Sequence, residues 1–145
     1  MADVIIMDAI RNLIKTCPHI DKFAEGIGID YLAEDPTCYA VESSPADLII
    51  KRYINGDTER QQVFVFSSRE AYGADVRQNI ENIGFFQLFA SWLASISKNK
   101  NFIDLGSNRC PVKIEALTTG YVFDVDESRA KYQIDCRLVY LQEGE

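Results

Sequence analysis

His19 is the one imidazole among the 145 residues, and it follows Cys17 and Pro18, so nucleophilic chemistry of the Cys–His kind would have to start there. A working dyad places nucleophile and base in one pocket, usually with a third group orienting the base. Residues on either side of a proline read more simply as a helix end, where a histidine complements the dipole. Asp124, Asp126 and Ser128 alternate like the opening of a calcium loop. Such a loop needs glycine at its sixth position and a bidentate glutamate at its twelfth. Those places hold Arg129 and Asp135, between strand-like segments, so a solvated hairpin turn is the better reading. The four cysteines, Cys17, Cys38, Cys110 and Cys136, show no CxxC spacing, which argues against zinc. The start at Met1-Ala2-Asp3-Val4 has no export pattern, so buried free thiols made in the cytosol are expected rather than a disulfide framework. Gly26-Ile27-Gly28 lacks the third glycine and the preceding strand of a dinucleotide loop. No catalytic residue, cofactor or metal is expected.

Arg69, Glu70, Tyr72 and Asp75 stand between a hairpin and a long helix. The first two suit inter-subunit salt bridges, or a local helix-start pair worth a few tenths of a kcal/mol; both readings stay open. Asp75 is placed as a first-turn acid. Phe85, Phe86, Phe89 and Trp92 read most simply as core, but four large aromatics on about two turns exceed one helix face, so some are expected to meet a neighbouring chain.

The chain is one domain in size, large enough for a real core. A hydrophobic fraction of 47% and a charged fraction of 26% are ordinary for a globular protein, and no run approaches the length of a membrane span. The net charge of −7 and the scattered cations argue against gripping a phosphate backbone.

Apolar residues at three- and four-residue steps (Val4, Met7, Ile10, Leu13, Ile14) predict a helix from Asp3, as N-cap, to Thr16. Strands are predicted over Thr37–Glu42, Leu48–Ile54 and Gln61–Ser67, the last two joined at Asn55-Gly56-Asp57. Val63 and Val65 alternate with Phe64 and Phe66, so that strand is expected to be covered on both faces. A helix from Ala74 to about Ser97 contains Gly84, where a kink or break is expected. An exposed, mobile loop should follow over Lys98–Arg109, then strands over Val112–Thr118, Tyr121–Val125 and Ala130–Leu141. In the last, Tyr132, Ile134, Cys136, Leu138 and Tyr140 share a face. The fold class is α+β: a mainly antiparallel sheet packed with an N-terminal helix and a long central helix.

Two segments carry a resemblance. The first runs from Ile49-Ile50-Lys51-Arg52-Tyr53 and Gly56-Asp57 through Arg60-Gln61 and Phe64-Val65-Phe66 into SREAYGADVRQNIENIGFF (residues 68–86) and Trp92. The second is Gly120-Tyr121-Val122-Phe123-Asp124 with the stretch from Ala130 to Leu138. Together with IRNLIKTCP (residues 10–18), they resemble the minor structural, or minor capsid, proteins of phages and prophages of Gram-positive bacteria, over nearly the whole chain. The resemblance implies a tail terminator: a ring, typically a hexamer, that caps the head-proximal end of the tail tube and joins it to the neck. It implies as partners the tail tube protein, a neck or head-completion protein and, in a contractile tail, the sheath protein. DNA would pass through the lumen without specific binding, which an acidic chain suits, and no membrane partner is implied. The place of action would be the virion tail or neck, after synthesis in the bacterial cytoplasm.

On this reading the contacts are expected at Arg52, Asn55, Gly56 and Asp57 of the hairpin tip, at a seam from Arg69 and Glu70 to Tyr72 and Asp75, and at Asn101 and Arg109 of the loop. Removing that loop should impair docking and leave the fold intact. A head–tail adaptor or completion protein is the rival from the same class. A small acetyltransferase-like enzyme is the rival from another, and it would need His19 as base.

Overall fold

In a computed structural model, the described residues are 5–18, 27–29, 38–71, 76–99, 101–125 and 129–144. They form, in chain order, α1 (Ile6–Ile14), β1 (Ile27–Ile29), β2 (Cys38–Ser43), β3 (Ile49–Arg52), β4 (Thr58–Ala71), α2 (Val76–Ile96), β5 (Arg109–Ala116), β6 (Tyr121–Val125) and β7 (Arg129–Gln142). The architecture is α+β, with a mainly antiparallel seven-stranded sheet.

Two 14-residue strands make the spine. β4 and β7 pair without a register shift from Thr58↔Gln142 to Ala71↔Arg129. Strict period-two alternation permits this: Phe64 and Phe66 of β4 share a buried face with Tyr132, Ile134, Cys136, Leu138 and Tyr140 of β7. Each outer edge of the spine carries two short strands end to end. β2 and β3 both run antiparallel to β4. Between them the ladder is maintained by Ser44 N–H donating to the Val63 carbonyl (3.0 Å) and Gln61 N–H to that of Leu48 (2.9 Å). β5 and β6 line β7 in the same way. At their break, Leu117 N–H donates to the Asp135 carbonyl (2.7 Å), and Asp135 N–H donates back to Thr118 Oγ1 (3.1 Å). β1 adds to β2 in parallel.

The helices lie on the Phe64–Tyr132 face, α1 against β1 and β2, and α2 against β5 and β7. Ile10 and Ile14 of α1 and Phe86, Phe89 and Leu93 of α2 are fully buried there. The Phe66 ring stacks on Phe89 (centroids 4.4 Å) and on Tyr39 (5.6 Å), so aromatic pairs add geometric preference to the area they bury. Ser97, just past α2, ties the helix to the sheet: its Oγ accepts from Ile114 N–H (2.8 Å) and donates to the Ile114 carbonyl (2.6 Å).

Several expectations need correction. α1 is capped by Ile5 with no side-chain cap, so Asp3, outside the described residues, is not the N-cap. α2 runs as one helix through Gly84. The roughly 1 kcal/mol cost of that glycine is small beside burying Phe86, Phe89 and Leu93, each worth about 1.5–3 kcal/mol. β4 is about twice the expected length, because residues 58–60 at its start and residues 68–71 at its end extend the ladder with β7. Its second face is not fully covered: Val63 and Val65 are half-buried while Phe64 and Phe66 are closed off. The 98–109 segment is no free loop, since Ile103 and Leu105 lie in the core. Deleting it would therefore cost the fold. Of the cysteines, Cys17 and Cys136 are buried but Cys110 is exposed; the Cys38 side chain lies outside the described residues.

Candidate interaction surface

At the hairpin tip, Tyr53 N–H donates to the Asp57 carbonyl (2.9 Å) and Gly56 N–H to that of Tyr53 (3.1 Å). Gly56 has φ +96, so the tip is a turn closed by a left-handed glycine, the arrangement that suits the twist of paired strands. Asn55 stiffens it by accepting from Asp57 N–H (3.1 Å) and donating to the Asp57 carboxylate (3.1 Å). That carboxylate also accepts from Gly144 N–H (2.9 Å), and Glu143 N–H donates to the Asn108 carbonyl (2.9 Å). Gly144 is thus clasped to the tip, and Glu143 to the segment before β5.

The register places Arg52 opposite Thr58, Thr58 opposite Gln142 and Gln142 opposite Arg109. Arg52 and Arg109, expected as contacts on separate segments, therefore share one rung, three strand spacings or about 14 Å apart. Arg60, two residues further, donates to Thr58 Oγ1 (2.9 Å). Burial pushes the Tyr140 phenol up from its ordinary value, against the opposing pull of Arg109 and Arg60. Beside the tip lies an open hollow of about 530 Å³ lined by Arg52, Tyr53, Ile54, Asn55, Asp57 and Leu141. It offers an arginine, an aromatic ring and apolar walls, a set suited to receiving a side chain.

The other expected contacts lie elsewhere. Arg69 pairs with Cys38 and Lys131, and Glu70 with Ala130, at the end of β4 remote from Thr58. Eleven residues of strand separate the two rungs, about 37 Å at 3.4 Å per residue. The tip and the Arg69–Glu70 end of β4 are thus separate patches. Tyr72 and Asp75 lie outside the described residues, as do His19 and residues 126–128; β6 and β7 pair antiparallel up to Val125↔Ala130. Asn101 is exposed with φ 57.

Three residues were missed by the alternation pattern. β3, β5 and β6 each carry one bulge against the spine, at Ile50, Val112 and Phe123, where the register skips between 49 and 51, 111 and 113, and 122 and 124. Each extra residue is large and apolar, with exposures of 44%, 46% and 60%. Tyr121-Val122-Phe123 and Leu48-Ile49-Ile50 break alternation with consecutive apolar residues, which is the one signal the sequence holds. Lys131 Nζ sits 5.0 Å from the Phe123 ring centroid and pairs with Glu42 at 3.1 Å, so the outward ring is held in place. On the same open face, Arg137 bridges Glu115 (2.9 Å) and Gln61 (3.3 Å).

No family model matches the chain, and no curated protein matches it. Among the described residues, no helix is long and apolar enough to cross a membrane.

Proposed function

We propose that the protein is a structural virion protein, a tail terminator that closes the head-proximal end of a phage tail tube as a ring and joins it to the neck. One observation carries the reading beyond the resemblance: apolar side chains stand exposed on both long edges of the sheet, Ile50, Tyr53 and Ile54 on one, and Val112, Val122 and Phe123 on the other. Large apolar residues gathered at edges mark contact surfaces, and two different patches on opposite sides are what a cyclic ring uses. The mechanism is geometric. One ring face complements the last ring of tube subunits, and the other offers them nothing to extend from.

Electron microscopy of particles assembled without the protein tests this. Tubes that overrun their normal length and fail to join heads are expected; normal tails attached to heads would overturn the reading. Copurification with isolated tubes rather than with heads separates it from a head–tail adaptor.

A further inference from the structure

Asn55 is the one asparagine of the chain that is followed by glycine, and it lies exposed at the hairpin tip. Asparagine is thermolabile, and glycine, with no side chain, leaves its own nitrogen open to reach Asn55 Cγ. In that reaction a bond forms between the Gly56 nitrogen and Cγ, closing a five-membered imide. The Cγ–Nδ2 bond breaks, and the amide leaves as ammonia with the proton that the Gly56 nitrogen gives up. Water then adds to either imide carbonyl and leaves aspartate or isoaspartate at position 55. Water is the only co-reactant.

The folded turn holds every group that must move. Gly56 N–H donates to the Tyr53 carbonyl (3.1 Å), which ties up the attacking nitrogen. Asn55 Oδ1 accepts from Asp57 N–H (3.1 Å), and Nδ2 donates to Asp57 Oδ2 (3.1 Å), so both polar atoms of the amide are pinned. The Asp57 N–H would also steady charge developing on Oδ1 during attack. That help counts for nothing while the nucleophile stays bound, so release of Gly56 sets the rate. The other oxygen of Asp57 accepts from Gly144 N–H (2.9 Å), and residue 144 packs directly on the Gly56 backbone. One carboxylate therefore links the reactive amide to a residue remote in sequence. Local opening of such a turn costs far less than global unfolding, and the clasp sets how much.

We propose that Asn55 is a self-modifying site, deamidated through the opened turn, and that the Asp57–Gly144 clasp governs how often the turn opens. The product loses the Nδ2 donor and sets a second carboxylate against that of Asp57, in the wall of the hollow that Arg52 and Tyr53 also line. Two carboxylates sharing a site repel, so the converted tip closes less well. Isoaspartate also adds a carbon to the backbone between β3 and β4. The tip thus records the age of each copy, and a partner docking there meets an added negative charge on older ones. The chemistry belongs to the chain itself and does not rest on the terminator reading.

Peptide mapping by mass spectrometry follows the conversion during incubation at mildly alkaline pH, on the parent and on Gly144→Ala, each native and in urea. Residue 144 can reach the reaction only through the fold. Conversion is expected at Asn55, slower in the native parent than in urea. Native Gly144→Ala should convert faster than the native parent, by the same factor as its Gly56 amide exchanges faster, while the two chains match in urea. Asn55→Gln, whose longer side chain closes a larger ring far more slowly, should abolish it. Asp57→Ala cuts both carboxylate contacts and should act in the same direction, which keeps the test decisive if Gly144→Ala loosens the whole sheet. A native parent that converts as fast as the chain in urea would overturn the proposal. So would clasp variants that convert at the parent's rate, or conversion sited at other asparagines.

Discussion

Two glycine-to-alanine substitutions should move stability in opposite directions. Gly120 lies where the chain passes from β5 to β6, under α2. A Cβ built there falls 2.4 Å from Phe86 Cβ, 2.6 Å from Cγ and 3.0 Å from Cδ2. Carbon atoms pack best at about 3.5–4.0 Å, so helix and sheet must part by roughly 1 Å. Phe86 cannot retreat, since it is fully buried and its ring packs 5.1 Å from Phe85 and 6.3 Å from Tyr132. The nearest atom is Cβ, fixed to the helix backbone, so rotamer change gives no relief. Overpacking of this kind costs about 1–3 kcal/mol, and a chain of this length loses about 2–4 °C of Tm per kcal/mol. Gly120→Ala should therefore lower Tm by roughly 2–12 °C. At Gly84 a Cβ meets nothing within 4 Å and φ is not positive, so alanine there removes only the glycine penalty. Gly84→Ala should gain about 1 kcal/mol, or about 2–4 °C. Differential scanning calorimetry with urea titrations measures both. A Gly120→Ala chain as stable as the parent, or a destabilised Gly84→Ala chain, would refute the packing argument.

Ser97→Ala leaves the Ile114 N–H, on a residue 1% exposed, without its donor–acceptor partner. A loss of about 1–3 kcal/mol is expected by urea denaturation, with Ser97→Thr closer to the parent. A Cβ at Gly144 would fall 2.5 Å from Gly56 C and 2.6 Å from its carbonyl oxygen. Gly144→Ala should therefore open the clasp and speed amide hydrogen exchange at residues 56 and 144, with a small change in Tm. A thiol reagent should modify Cys110 in the native protein while Cys17 and Cys136 wait for unfolding. Burial, with Asp135 adding to it, pushes the Cys136 thiol up and away from the reactive thiolate. Burial raises the Glu115 carboxyl, but hydrogen bonds from Arg137 and Lys113 outweigh it and hold the group below its ordinary value. A carboxylate with a depressed folded pKa contributes stability above its unfolded pKa and loses it as pH falls through the folded one. Arg137→Gln should accordingly flatten the acid side of a plot of urea midpoint against pH, and an unchanged slope would remove Glu115 from the account.

What the sequence discloses follows from how local each cause is. The faces of β7 are legible because Tyr132 to Tyr140 alternate through one uninterrupted ladder, and a single period decides which side meets the helices. The true length of β4 is not legible: Ser68-Arg69-Glu70-Ala71 has no strong strand preference and is extended because residues 129–132 lie opposite it. Nor is the unbroken α2, where burial of Phe86, Phe89 and Leu93 overrides a local penalty. The same reasoning explains why the turn at the tip was legible and the bulges were not. Asn55 and Gly56 shape the backbone by their own chemistry, so they announce themselves. Ile50, Val112 and Phe123 become exposed only because the partner strand is one residue shorter at each place, a property of the pair rather than of either segment. Hydrophobicity in a strand reads as core until pairing is known, and the surface with most to say about partners is then read as interior. Arg69 and Glu70 of the expected seam and the tip at Asn55 to Asp57 are at opposite ends of one sheet. Which residues share an end of the sheet is decided by the strand register and not by the sequence order.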